Sequence, residues 1–202
     1  MTEYLHKPAN PTGQALVLTH GAGGNINSPL IVKTAEAFTV AGFYVLRYTL
    51  PFRQKKPFGP PMPAAAQQDR EGLRAAVHQI KKMASSVSLG GHSYGGRQAS
   101  MLAAEELGLV EGLLLLSYPL HPPRKPEQLR TGHFGQLQTP ALFVNGTKDG
   151  FGTPDEMSAA LRLIPAKTTL QMIEDASHDL MKGAFDIQLK VISAYVDLIK
   201  PS

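Results

Sequence analysis

Two hydrophobic patterns alternate along the chain. Short β-rich apolar runs occupy residues 15–19, 43–48, 87–90, 113–117, 141–145 and 168–173. Between them lie stretches with apolar residues at helical spacing: 29–40, stopped by Gly42; 65–83, with Leu73, Val77, Ile80 and Met83 on one face; 94–107; and 154–163. A closing helix is striped by Phe185, Leu189, Ile192, Val196 and Ile199. Two segments break the alternation. Residues 49–63 carry Pro51, Pro57, Pro60, Pro61 and Pro63 and are expected to be irregular. Residues 118–138 form a long loop in which a helix is missing or very short.

Strands that are apolar without polar alternation are covered on both faces, which is the mark of a parallel sheet between helical layers. The expected fold is α/β, in three layers, with about six mainly parallel strands and helices on both faces. Right-handed crossovers bring chemistry in such folds to the carboxyl ends of the strands. The loops that matter therefore follow Thr19, Tyr48, Gly90, Ser117, Asn145 and Ile173.

Composition narrows the possibilities. A chain of 202 residues, 43% apolar, suits one domain over 1–202. The absence of cysteine excludes disulfide scaffolds, cysteine-ligated metal centres and a thiol nucleophile. A net charge of +4 is too small an excess to imply nucleic acid. The longest strongly apolar stretch, residues 112–116, is far short of a bilayer span. The first residues show no basic segment followed by an apolar run, so the expected location is the cytoplasm.

After the third strand stands Gly91-His92-Ser93-Tyr94-Gly95, a glycine-x-serine-x-glycine string between a strand and a helix. Ser93 at that bend is lifted clear of the sheet. The Tyr94 amide, opening the next helix, points at any oxyanion that develops nearby. After the first strand, His20-Gly21-Ala22-Gly23-Gly24 offers a second backbone donor, Ala22 first and Gly23 second. Neither glycine-rich loop has the lysine and hydroxyl residue of a P-loop or the third glycine of a dinucleotide fingerprint.

A serine nucleophile needs a base and a carboxylate that orients it. Asp149 follows the fifth strand and His178 the sixth, so serine, acid and histidine come in that order. Structural alternatives stand beside each. Asp149 could close a turn, although Asp155 is the better helix cap, and His178 could be a surface residue. His20 and His92 are expected to buttress the two glycine-rich loops, and His6 and His78 to face solvent. No His-x-x-x-His or carboxylate cluster suggests a metal.

These residues resemble the α/β-hydrolase superfamily over nearly the whole chain. The resemblance is nearer to small lidless bacterial hydrolases of the dienelactone-hydrolase-like group. It extends to the hydrolase-like domain of the eukaryotic non-specific-lethal complex subunit and its testis-expressed relative. It rests on the segments 18–24, 47–53, 95–97 and 118–122. Ser93 stands where dienelactone hydrolases use cysteine, the superfamily's first strands are absent, and no cap is inserted after the fourth strand.

The resemblance implies a serine hydrolase acting on small ester or thioester substrates through Ser93, Asp149 and His178. It implies an oxyanion hole from Ala22 and Tyr94, no cofactor or metal, no nucleic-acid or membrane partner, and a monomer or homodimer. The alternative is a non-catalytic scaffold, its mouth blocked by Phe52, Phe58 or Tyr94. Gly23, Arg53 and His121 are expected to contact substrate. Arg53, Lys55, Lys56, Arg124, Lys125 and Arg130 would form a basic rim favouring anionic esters.

Overall fold

The computed structural model describes residues 2–181 and 184–200, and for 184–189 the backbone alone. Its strands are β1 (Glu3–His6), β2 (Gln14–Thr19), β3 (Tyr44–Tyr48), β4 (Ser86–His92), β5 (Gly112–Leu116), β6 (Ala141–Gly146) and β7 (Thr168–Ile173). They form one sheet in the order β1-β3-β2-β4-β5-β6-β7, parallel throughout except where β1 pairs antiparallel with β3. The helices are α1 (Pro29–Val40), α2 (Pro51–Lys55), α3 (Ala65–Ile80), α4 (Tyr94–Glu105), α5 (Pro154–Leu161) and α6 (Ala184–Ile199).

Each central strand feeds two cores. Ala15, Val17, Leu113, Leu115 and Phe143 pack towards α3, α4 and α5, while Leu16, Leu18, Leu114, Leu116 and Val144 pack towards α1 and α6. Side chains alternate across a strand, so a strand buried on both sides must be apolar at every position. That is why the sequence shows runs here rather than alternation. Strand order reverses between β2 and β4, whose ends lie side by side with Thr19 opposite Gly91. The loops from those two strands meet at this switch point.

Four expectations are corrected. The sheet has seven strands, because the half-exposed edge strand β1 adds to the six read from apolar runs. The proline-rich segment contains α2, in which Pro51 is the first helical residue; there its missing N–H costs nothing and its fixed φ favours the helix. α3 ends at Ile80, leaving Met83 exposed beyond it. The buried face of α6 is Val191, Tyr195 and Leu198, with Ile192, Val196 and Ile199 flanking it; Phe185 and Leu189 lie outside the residues whose side chains are described.

The long loop after β5 holds only a single turn of 3₁₀ helix (Phe134–Gln136). It is nonetheless anchored. Tyr118, Leu120, Phe134 and Leu137 are buried in the core, and the Tyr118 hydroxyl donates to the Arg130 carbonyl at 2.7 Å.

Candidate active site

Ser93 follows the last residue of β4 directly and has φ 50° and ψ −117°, a conformation that glycine adopts readily and other residues rarely. The turn closes because its flanks are bare: a Cβ on Gly91 would lie 2.8 Å from the Gly95 carbonyl carbon and the Gly96 nitrogen. The Ser93 amide donates to the Leu116 carbonyl at 2.8 Å, and its carbonyl accepts from Arg97 at 2.9 Å, which ties the bend to β5 and α4.

His178 reaches Ser93 from the loop after β7. Its Nε2 lies 2.8 Å from Ser93 Oγ, and its Nδ1 lies 2.9 and 3.0 Å from the two carboxylate oxygens of Asp149. Asp149 is buried and also accepts the Phe151 amide at 2.9 Å. The loops that carry acid and base are held together as β6 and β7 end: Thr147 donates to the Ile173 carbonyl at 3.0 Å and Lys148 to the Ala176 carbonyl at 2.9 Å. A Cβ on Gly146 would collide with that Ala176 carbonyl. Lys148 also pairs with Asp175 at 2.6 Å, across the two loops.

Two contacts fix the imidazole that sequence reading did not supply. The Phe151 ring stacks on His178 with centroids 4.1 Å apart. His92 Nε2 donates to the His178 carbonyl at 2.8 Å, and burial lowers the His92 pKa, so this buttress stays neutral.

The loop after β2 turns back on itself through the Gly24 amide and Gly21 carbonyl, 3.1 Å apart. His20 braces it from beneath: Nδ1 donates to the Gly21 carbonyl at 2.9 Å and Nε2 accepts the Leu50 amide at 3.2 Å. Arg53 grips it from α2. Its guanidinium donates to the Ala22 carbonyl, to Gly24 at 3.1 Å, to Lys56 at 3.0 Å and to Gly59 at 3.1 Å. The Ala22 and Gly24 carbonyls share their peptides with the amides of Gly23, which lines the space above Ser93, and of Asn25, which donates to Ser28 Oγ at 3.0 Å.

That space is a cavity of about 410 Å³. Its polar side is Gly21, Ala22, Gly23, His92, Ser93 and His178; its apolar side is Pro29, Leu30 and Ile31 at the start of α1, with Phe151 and Met181. Leu30 and Ile31 read from the sequence only as the inner face of a helix, since periodicity does not distinguish a wall against a core from a wall against a ligand.

The basic rim is corrected. None of Arg53, Lys55, Lys56, Arg124, Lys125 and Arg130 lines this cavity, and Asp179 is its charged neighbour. Arg53 is buried under the loop. His121 is buried too, with Nδ1 donating to the Pro122 carbonyl at 2.8 Å and Nε2 3.3 Å from Glu156. The aromatics named as possible plugs lie elsewhere. Phe52 and Tyr94 pack edge to face, 5.6 Å between centroids, and Phe58 projects outward. The Tyr94 hydroxyl donates to buried Asp69 at 2.7 Å, which also accepts the Phe52 amide at 2.9 Å.

Two smaller expectations also change. Thr153, not Asp155, caps α5, in a capping box with Glu156. His6 is half-buried and accepts from Arg47 Nε at 2.9 Å, while His78 is exposed as expected.

Chemically, a hydroxyl in line with an imidazole and a buried carboxylate is an arrangement in which the imidazole can remove the hydroxyl proton. No group of three or more metal-binding side chains occurs among the described residues, and no helix among them is long and apolar enough to cross a membrane.

Comparison with known proteins agrees with the fold. Residues 12–186 match a family model described as an alpha/beta hydrolase domain. Similar solved structures include a serine hydrolase without lid from Xanthomonas campestris, at 16% identity and TM-score 0.77, covering 99% of this chain and 90% of that one. A dienelactone hydrolase from Anabaena variabilis matches at 20% identity and TM-score 0.77, covering 98% and 92%. Est1E from Butyrivibrio proteoclasticus, with ferulic acid bound, matches at 17% identity and TM-score 0.80, covering 98% and 94%.

Proposed function

From the premise that this chain belongs to the alpha/beta hydrolase domain family, we propose that it is a serine hydrolase cleaving carboxylic esters or thioesters of small acyl substrates. The observation that carries the reading is the unbroken hydrogen-bonded chain from Ser93 Oγ through His178 to Asp149. Ser93 Oγ attacks the acyl carbon as its proton passes to His178 Nε2. Asp149 keeps the imidazole in the tautomer with Nδ1 protonated and stabilises its cation. The tetrahedral oxyanion is held by the backbone N–H groups of Ala22 and Tyr94, with Gly23 beside them. Collapse of the intermediate expels the alcohol or thiol, which takes the proton from His178 Nε2. Water, activated by the same imidazole, then attacks the acyl-enzyme and releases the acid.

The wall of Pro29, Leu30, Ile31 and Met181 suits the hydrocarbon part of the substrate. It argues against the preference for anionic esters that the loop charges suggested. Arg53 is a positioning residue in this scheme, acting on the loop and not on the substrate. The reaction needs no cofactor, and we place it in the cytoplasm.

Intact-protein mass after exposure to a fluorophosphonate tests the mechanism. One adduct on the wild type and none on Ser93→Ala is expected, together with a loss of ester turnover on the order of 10⁴-fold or more. A folded wild type that stays unlabelled would overturn it and favour a non-catalytic scaffold.

A further inference from the structure

A second cavity, of about 420 Å³, lies between α4 and the loop after β5, and it shares no residue with the first. Its polar wall is Arg97 and Glu105 from the helix and Arg130, His133 and Gln136 from the loop. The charges there are unbalanced. Glu105 is held by Arg70 at 3.0 Å, outside the cavity. Among the described residues neither Arg97 nor Arg130 has a carboxylate partner.

Arg97 Nε is buried and makes no hydrogen bond. Arg130 has only Nη1 engaged, donating to the Pro119 carbonyl at 3.2 Å; burial, and then the charge of Arg97, lower its pKa. Two guanidinium groups therefore press on each other in a partly desolvated space. His133 adds no compensation. Its Nε2 lies 2.8 Å from Ser100 Oγ, which donates to the Arg97 carbonyl at 3.0 Å. Burial, and then Arg97 and Arg70, push its pKa down to about 4, so the ring is neutral near pH 7.

We propose that this cavity binds a dianionic tetrahedral oxyanion, as inorganic phosphate or as the phosphate group of a small monoester. Two monocations, neither with a carboxylate partner of its own, match a dianion better than a single carboxylate. The guanidinium fork presents parallel N–H donors at the spacing of phosphate oxygens. Met101 and Leu129 supply an apolar wall for the organic part of a monoester. The site stands apart from the catalytic reading and does not need it.

Isothermal titration of the full chain in a low-chloride buffer at constant ionic strength tests this, with inorganic phosphate, glycerol 3-phosphate and acetate as titrants. Saturable one-to-one binding of phosphate is expected, with acetate at least about tenfold weaker. Glycerol 3-phosphate binding more tightly than phosphate assigns the site to monoesters; equal affinity assigns it to the phosphate group alone. Arg130→Gln should weaken phosphate at least about tenfold, with its melting transition confirming a folded protein. Glu105→Gln, which removes the negative charge from the wall, should tighten it several-fold, an effect that misfolding does not mimic. No saturable binding of either phosphate compound, acetate as good as phosphate, or an affinity indifferent to both substitutions would overturn the proposal.

Discussion

His20 uses both ring nitrogens in hydrogen bonds that only the neutral imidazole can make together, donating from Nδ1 and accepting at Nε2. Burial pushes its pKa down to about 4 from the ordinary 6.5. Between those values the unfolded chain binds a proton that the folded chain excludes. Stability therefore rises with pH across the window and is lost as pH falls from about 6.5 towards 4. The loss from this residue is on the order of 3 kcal/mol at the acid end. His20→Gln keeps a donor and an acceptor without titrating. Its urea midpoint should fall less between pH 7 and pH 4.5 than that of the wild type, with part of the slope remaining because His133 is depressed over the same range. Equal slopes would show that His20 does not carry the effect. The buttressing role was legible because the residue adjoins a glycine-rich loop; the partners were not, since Leu50 lies 30 positions away. Arg53 misled for the same reason. A sequence shows that a residue is charged, but the direction of a guanidinium depends on which carbonyls the fold brings within reach.

The elements differ in how openly the chain announces them. Strand, turn and helix around Ser93 could be read directly because each has its own periodicity and the glycines punctuate them. α2 could not, since prolines mask so short a helix, and its five residues have too few apolar positions to form a stripe. β1 has four residues at a half-exposed edge and no apolar run to betray it. Yet α2 matters to the reaction proposed here, for it carries the side chain that grips the loop above Ser93. Arg53→Met keeps the bulk and removes the four hydrogen bonds. Helix content should be unchanged by circular dichroism while kcat for a short ester falls about 10²-fold and KM moves little, the pattern expected when an oxyanion donor is misplaced. An unchanged kcat would mean that the loop holds its shape without α2.

At the scale of the whole molecule, the fold was the most legible feature, because a sheet buried on both faces dictates composition over many residues at once. The loops at its carboxyl ends announced the reacting groups by chain order, but not the walls around them. The conformation of Ser93 is felt at this scale as well, since a cooperative domain reports local strain through its melting temperature. A side chain at φ 50° and ψ −117° costs on the order of 1–3 kcal/mol, and glycine relieves most of it. After subtraction of the lost bond to His178, Ser93→Gly should melt about 2–4 °C higher than the wild type. Calorimetry showing an equal or lower melting temperature would contradict this. Mutational drift under selection for folding alone runs downhill from serine to glycine at that position. A lineage that had abandoned hydrolysis would be expected to lose its hydroxyl there first and be the more durable for it; this chain still holds the less stable residue.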